Sequence, residues 1–165
     1  MIKTIKVYPR FYVERLFLSE RKLLNNETLI SIYSTPKEKL FDNKFNILSL
    51  CFSDCTKTIY NEIMLKPNDY ELSLFSEDQA KEIIKFVDNL SSDIETLYVH
   101  CDAGVSRSGA VGLFVCRYLK LDENEFIKEN PHIHPNEFVM EVLNKVSGIN
   151  NDYVSFWSNQ EFIQI

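Results

Sequence analysis

Ten residues in the middle of the chain combine a cysteine, a glycine and an arginine at a spacing that could hold a phosphate. Residues 100–109 read HCDAGVSRSG, so Cys101 and Arg107 are six positions apart, with Gly104 between them. The five intervening residues suffice for a loop whose backbone N–H groups turn inward and form an anion-binding nest. The N-terminus of a following helix would add the positive end of its dipole. An anion in this nest would lie over a cysteine thiolate, which is a nucleophile.

Each residue type at this loop predicts a chemical role. The inward N–H groups, the helix dipole and the Arg107 guanidinium all favour a negative sulfur on Cys101. Arg107 would bind two phosphoryl oxygens in a bidentate fork. Gly104 would let the backbone turn where a side chain would obstruct the anion, and Ser108 could hydrogen-bond the sulfur and ease its departure from phosphorus. The residues predicted to bind phosphate are Asp102, Ala103, Gly104, Val105, Ser106 and Arg107.

The chemistry needs the loop to lie between a strand and a helix, and the flanking sequence predicts both. Leu97, Tyr98 and Val99 read as the end of a buried strand. Apolar positions from Ala110 to Leu119 form one face of a helix that begins near Arg107. The alternative is a buried cysteine followed by an ordinary strand-to-helix turn, which would leave the Cys-Gly-Arg-Ser spacing unexplained.

Other elements follow from apolar runs and turn residues. Phe11–Leu24 reads as a helix, and Ile59–Leu65 as a strand or hairpin arm followed by a turn at residues 66–69. Three further short runs are predicted to be strands: Thr4–Tyr8, Leu29–Tyr33 and Ile47–Phe52.

The later helices begin at recognisable capping residues. Ser76 and Gln79 form a capping box. Asp122 and Asn136 can cap two further helices, and Gly148 would end the last one. This order of elements predicts an α/β fold with a central, mostly parallel sheet flanked by helices.

Composition limits the class of protein. The 165 residues, 45% of them apolar, suffice for a single domain over residues 1–165, with the aromatic residues 149–165 as a C-terminal extension packing on it. A net charge of −6 argues against nucleic acid and anionic membranes as partners. Charged residues interrupt the N-terminal apolar run, so we expect a cytoplasmic protein. Four cysteines without a CxxC motif are then expected to be free thiols.

The central motif and a later element resemble one known family. HCDAGVSRSG is similar to the HCxxGxxRS signature of the cysteine-dependent protein tyrosine phosphatases, in particular the small dual-specificity-like branch with bacterial and phage-type members. Residues 46–146 follow that branch in outline, and Pro135-Asn136 with Phe138 resembles its PNxxF or PNxxV element. The resemblance implies a single phosphatase domain of that fold.

The resemblance also implies site residues. Cys101 would be the nucleophile, Arg107 the phosphate clamp, and His100 a residue behind the loop that tunes the cysteine. Asn136 would buttress the loop, although its position also suits a simple helix cap. Ser108 would assist the sulfur. Neither a metal nor another cofactor is implied, and His132 and His134, two positions apart on a proline-bounded loop, have no neighbouring ligand in sequence that would suggest one.

The resemblance implies hydrolysis of phosphomonoesters through a phosphocysteine intermediate. The favoured substrate is phosphorylated protein, above all phosphotyrosine and also phosphoserine or phosphothreonine, and phosphate, sulfate or vanadate would occupy the empty loop. Members that act on inositol phospholipids tend to carry lysines in the signature, and this signature has none. The alternatives are the same chemistry on a small-molecule, nucleotide or nucleic-acid-end phosphate, or a catalytically weak phospho-binding module. The sequence makes no prediction about oligomeric state.

A general acid must protonate the leaving oxygen, and two aspartates compete for this role. Asp54 follows the predicted strand Ile47–Phe52, which suits an acid on a loop at the end of a strand. Asp69 lies nearer to Cys101 in sequence, on the turn at residues 66–69. We favour Asp54 and keep Asp69 as the alternative general acid.

Overall fold

A parallel four-stranded sheet forms the centre of the protein. The computed structural model describes residues 1–65 and 73–149, and in these ranges the strand order is β1-β4-β2-β3, with every neighbouring pair parallel. This confirms the predicted α/β class and parallel sheet. The strands are β1 (Thr4–Pro9), β2 (Glu27–Tyr33), β3 (Ile47–Cys51) and β4 (Thr96–Cys101).

Helices cover both faces of the sheet. A π-helical segment, Arg15–Glu20, extends α1, and Pro36–Glu38 forms a short 3-10 turn. No helix within the described ranges is long and apolar enough to cross a membrane. The helices are α1 (Arg10–Glu14), α2 (Lys57–Leu65), α3 (Glu77–Asp88), α4 (Arg107–Tyr118), α5 (Glu123–Glu129) and α6 (Glu137–Ser147).

Alternation along β4 divides the apolar residues between two cores. Leu97 and Val99 face the larger core, which β4 shares with α3, α4 and α6. Tyr98 faces the opposite side, where it packs with Val13 and Phe17 from α1 and its extension. Because successive side chains of a strand point to opposite faces, β4 is buried on both sides. The loop that begins at Cys101 therefore follows a strand that is buried on both faces.

Most local predictions hold, and one is wrong. The four strands lie within two residues of their predicted bounds, and the helix predicted for Phe11–Leu24 is found over Arg10–Glu20, with a π-helical second half. Ile59–Leu65 is helical rather than a strand, because the Thr56 hydroxyl accepts a hydrogen bond from the Ile59 N–H and begins α2. The predicted turn at residues 66–69 and the tail at 150–165 lie outside the described residues.

The capping predictions also hold. Ser76 Oγ accepts a hydrogen bond from the Gln79 N–H at 3.2 Å, and Asn136 Oδ1 accepts one from Val139 at 3.0 Å. Asp122 caps α5, and Gly148 ends α6 with a φ of 72°. These short-range hydrogen bonds determine where α3, α5 and α6 begin.

The loop between β4 and α4 packs directly on the end of β1. Arg10 N–H donates a hydrogen bond to the carbonyl of Asp102 at 3.1 Å. Gly104 has a φ of 71°, and a Cβ placed on it would lie 2.3 Å from the Pro9 nitrogen and 2.4 Å from the Tyr8 carbonyl carbon. Contact with the β1 backbone therefore requires this glycine, which corrects the sequence-based expectation that a side chain would obstruct the anion.

We predict that Gly104→Ala lowers the free energy of unfolding by roughly 2–4 kcal/mol, because it combines left-handed backbone strain with a backbone clash. Gly148→Ala is the matched control. Its φ is also positive, but nothing lies within 4 Å of the position a Cβ would take. The control should lose only about 1 kcal/mol. Urea denaturation of both variants measures the difference, and equal losses would contradict the packing explanation.

Candidate active site

Cys101 and Ser108 meet at the junction of β4 and α4. Cys101 is the last residue of β4, and its Sγ lies 3.1 Å from the Ser108 Oγ in the first turn of α4. Both side chains are buried. The structure therefore places a hydroxyl where it can donate a hydrogen bond to the sulfur.

Arg107 is a buried guanidinium with most of its donors occupied. Nη1 donates to the Ser34 Oγ and to the Phe52 carbonyl, each at 2.9 Å. Nη2 donates to Asp102 Oδ2 at 2.6 Å. Nε is buried and has no hydrogen-bond partner among the described residues. The Nε–H and the second Nη2–H remain, and donors of this kind on one edge of a guanidinium suit a bidentate anion.

The Asp102 side chain contacts both Arg107 and Ser34. Its Oδ2 contacts Arg107 and accepts a hydrogen bond from the Ser34 hydroxyl at 2.9 Å, while Arg10 Nη1 lies 4.0 Å from Oδ1. Burial would raise the pKa of this carboxyl, but the hydrogen bonds from Arg107 and Ser34 and the charges of both arginines outweigh it, so the pKa lies below its ordinary value. Asp102 is therefore a carboxylate that holds Arg107.

Sequence reasoning missed Ser34, which bridges Asp102 and Arg107. It follows β2 directly, as Phe52 follows β3 and Asp102 follows β4. The carboxyl ends of parallel strands meet at one edge of the sheet, which is where such folds bind ligands. A hydroxyl residue directly after a predicted strand was the signal in the sequence that could have identified Ser34 as a site residue.

Asp54 is attached to the loop through two side chains. Its Oδ1 accepts hydrogen bonds from the Ser106 Oγ and the Asn136 Nδ2, both at 2.7 Å. Asn136 Nδ2 also lies 3.1 Å from the Cys55 carbonyl. Because its Oδ1 caps α6, Asn136 is both a helix cap and a link between the loop and Asp54. Asp69, the alternative acid, lies outside the described residues.

Backbone hydrogen bonds hold the loop from outside. His134 N–H donates to the Val105 carbonyl and Asn136 N–H to the Ser106 carbonyl, both at 3.1 Å. With the bond from Arg10 to Asp102, three loop carbonyls are directed to the surrounding frame. A loop whose carbonyls are satisfied in this way can present its N–H groups to an anion at its centre.

A pocket of about 210 Å³ adjoins this loop on the side of Asp54. It shares Ser106 and Asn136 with the hydrogen bonds that hold Asp54. It can accommodate a group next to a bound phosphate. Its lining residues are Thr56, Thr58, Ser106, His134, Pro135, Asn136 and Glu137.

Three further cysteines, Cys51, Cys55 and Cys116, lie outside the loop. All four cysteines are free thiols. Burial raises the pKa of Cys51 and of Cys55, and it raises the pKa of Cys116 to about 11. These three side chains are therefore protonated at neutral pH and are poor nucleophiles.

The side chain of His132, after α5, contacts the backbone of β1. His132 Nε2 donates a hydrogen bond to the Val7 carbonyl at 3.0 Å. Over residues 1–65 and 73–149 no three histidine, cysteine, aspartate or glutamate side chains are grouped so that they could hold a metal ion.

His100 lies directly beneath the loop. It is 2% exposed, and its Nε2 lies 2.8 Å from the Ser31 Oγ on the neighbouring β2. Burial lowers the pKa of His100 to about 4. The imidazole is therefore neutral at physiological pH and supports Cys101 without adding a positive charge.

We predict that His100 makes the fold acid-sensitive. Its pKa is about 4 in the folded state and about 6.5 in the unfolded chain, so the unfolded chain binds the extra proton as pH falls from 6.5 to 4. This should remove about 3 kcal/mol of stability across that window. Urea denaturation at each pH should show a flatter profile for His100→Asn. Parallel profiles for the two proteins would contradict the assignment.

Similarity to known proteins was found among solved structures. No family model and no curated protein matches the sequence. The crystal structure of Tk-PTP in the active form is 16% identical, with 90% of this chain and 93% of that chain covered and a TM-score of 0.51. PTPMT1 in complex with PI(5)P is 17% identical, with 88% and 90% covered and a TM-score of 0.48. The PTP-2 phosphatase of Cydia pomonella is 18% identical, with 85% and 81% covered and a TM-score of 0.46.

The likeness to Tk-PTP extends over most of both chains. The chain has the protein tyrosine phosphatase fold.

Proposed function

We propose that the protein is a cysteine-based phosphatase that hydrolyses phosphomonoesters. The observation that carries this proposal is the pairing, on one loop, of the buried Cys101 thiol with an Arg107 guanidinium whose Nε lacks a partner among the described residues. A nucleophile and a two-donor clamp at this spacing are what transfer of a phosphoryl group to sulfur requires.

In the first step the Cys101 thiolate attacks phosphorus and the ester oxygen leaves. Arg107 and the loop N–H groups hold the equatorial oxygens throughout, because these oxygens carry the charge of the transition state. The Asp54 carboxyl gives its proton to the departing oxygen. The products are a phosphocysteine and a free alcohol or phenol.

In the second step a water molecule attacks the phosphocysteine. Asp54, now a carboxylate whose Oδ1 accepts hydrogen bonds from Ser106 and Asn136, takes a proton from this water. The bond between phosphorus and sulfur breaks, and the Ser108 hydroxyl donates a hydrogen bond to the departing Cys101 sulfur. Inorganic phosphate is then released, and the Cys101 thiolate is regenerated.

We propose phosphotyrosine in a protein as the favoured substrate, with phosphoserine and phosphothreonine as further substrates. The pocket beside Ser106 supports a polypeptide substrate, because it offers room next to the phosphate for a neighbouring residue. Its threonine hydroxyls and the Glu137 carboxylate can hydrogen-bond to peptide groups.

The test is turnover of p-nitrophenyl phosphate in the presence of EDTA. We expect hydrolysis by the wild-type protein, inhibition by vanadate, and none by Cys101→Ser, because a hydroxyl is a much weaker nucleophile than a thiolate. Cys116→Ser, which removes a thiol from the core of α4, is the control and should keep activity in whatever fraction remains folded. No wild-type turnover, or turnover that persists in Cys101→Ser, would contradict the proposal.

We predict that the effect of Asp54→Asn depends on the leaving group. The variant cannot donate a proton to the leaving oxygen, so kcat should fall by about 10²–10³ for alkyl and unsubstituted phenyl phosphates. It should fall much less for p-nitrophenyl phosphate, whose leaving group needs little protonation. A plot of log kcat against the pKa of the leaving group measures the difference as a steeper slope.

Asp69→Asn is the control for this prediction, because it removes the alternative acid with the same substitution. Its slope should match that of the wild-type protein. A steep slope for Asp69→Asn together with a wild-type slope for Asp54→Asn would assign the role to Asp69.

A further inference from the structure

We propose that Asp102 is a specificity-determining residue, which selects phosphomonoesters with little other negative charge and disfavours polyanionic phosphates. This inference rests on the proposed phosphatase function of the same loop. Asp102, the residue next to the candidate nucleophile, contacts the candidate phosphate clamp, with 2.6 Å between Asp102 Oδ2 and Arg107 Nη2.

Two arginines beside the loop, Arg107 and Arg10, are already paired with carboxylates. Arg107 is bound to Asp102, and Arg10 lies between Asp102, at 4.0 Å, and Glu14, at 3.0 Å. The four side chains thus alternate in sign and sum to zero formal charge. A single phosphate can still bind here, because the loop N–H groups and the Nε edge of Arg107 can donate hydrogen bonds although the charge of Arg107 is paired.

The carboxylate is the more accessible member of its pair. The Asp102 side chain is 42% exposed, whereas the Arg107 side chain is 4% exposed. A molecule that approaches from solvent therefore meets the negative group before the positive one. Its hydrogen bonds from Ser34 and Arg107 keep it in place and ionised at neutral pH.

A second anionic group on the substrate would weaken the binding of that substrate. The phosphate that reacts is compensated by Arg107 and the loop, but a further carboxylate or phosphate beside it would face Asp102. Two like charges in partly solvated surroundings a few ångströms apart reduce binding roughly 3- to 10-fold, and added salt weakens this effect. The loop thus discriminates by charge as well as by shape.

The experiment compares two phosphotyrosine peptides that differ only in the residues flanking the phosphotyrosine, alanines in one and glutamates in the other. For the wild-type protein kcat/KM should favour the alanine peptide. Asp102→Asn keeps an oxygen for Arg107 and Ser34 but removes the charge, so the ratio between the peptides should fall roughly 3- to 10-fold. Asp93→Asn makes the same change of net charge in the exposed turn before β4, at the far end of the sheet, and should leave the ratio unchanged.

Ionic strength provides a second measurement that needs no variant. The preference of the wild-type protein for the alanine peptide should shrink as salt is raised from about 20 mM to about 0.5 M, because exposed charges are then screened. This arm can contradict the proposal even if Asp102→Asn fails to fold. A wild-type preference that salt does not change would overturn the proposal.

The outcomes distinguish failure of the specificity proposal from failure of the proposed phosphatase function. If Asp102→Asn lowers kcat/KM equally for both peptides, Asp102 only positions Arg107 and the specificity proposal is wrong, while the phosphatase function stands. If the ratio falls equally in Asp93→Asn, net charge and not Asp102 is responsible, and the proposal is also wrong. If the wild-type protein hydrolyses neither these peptides nor p-nitrophenyl phosphate, the phosphatase function itself fails.

Discussion

The buried guanidinium of Arg107 places the strictest requirement on this structure. A charge taken out of water is tolerated only if it is paired and its donors are satisfied. Its partners follow three different strands: Ser34 after β2, Phe52 after β3 and Asp102 after β4. Only a parallel sheet brings three carboxyl ends to one edge, so the sheet order and the position of the arginine depend on each other.

Contacts from several parts of the chain hold the loop in addition to Arg107. Arg107 fixes the loop at its C-terminal end, while the backbone of β1 meets it at Gly104 and the segment before α6 holds the carbonyls of Val105 and Ser106. Each of these contacts comes from a different part of the chain. The loop is therefore shaped by the folded domain and does not depend on a bound anion for its frame, which lowers the entropy lost when an anion binds.

The sequence predicted what is determined locally. The Cys101 to Arg107 spacing, the caps at Ser76 and Asn136 and the strand before the loop all depend on neighbouring residues, and the structure contains each of them. The inward turn of Asp102 could not be predicted, because it depends on Ser34, which is 68 residues away. The need for glycine at position 104 likewise could not be predicted, because it comes from contact with the backbone of β1. The helix α2 was mistaken for a strand because its apolar run is short, and such runs fit either element until capping is considered.

Asp54, the proposed proton donor, is joined by hydrogen bonds to the loop between Cys101 and Arg107. The Ser106 hydroxyl donates a hydrogen bond to Asp54, and the Ser106 carbonyl accepts one from the backbone N–H of Asn136. The side-chain amide of Asn136 in turn donates one to Asp54. These three hydrogen bonds connect Asp54 to the loop and to the segment before α6. A proton donor must lie within hydrogen-bond reach of the leaving oxygen, so this connection supports the proposed role of Asp54. The contacts that join Asp54 to the loop cross 52 and 82 residues of sequence, which is why spacing from Cys101 alone does not reveal them.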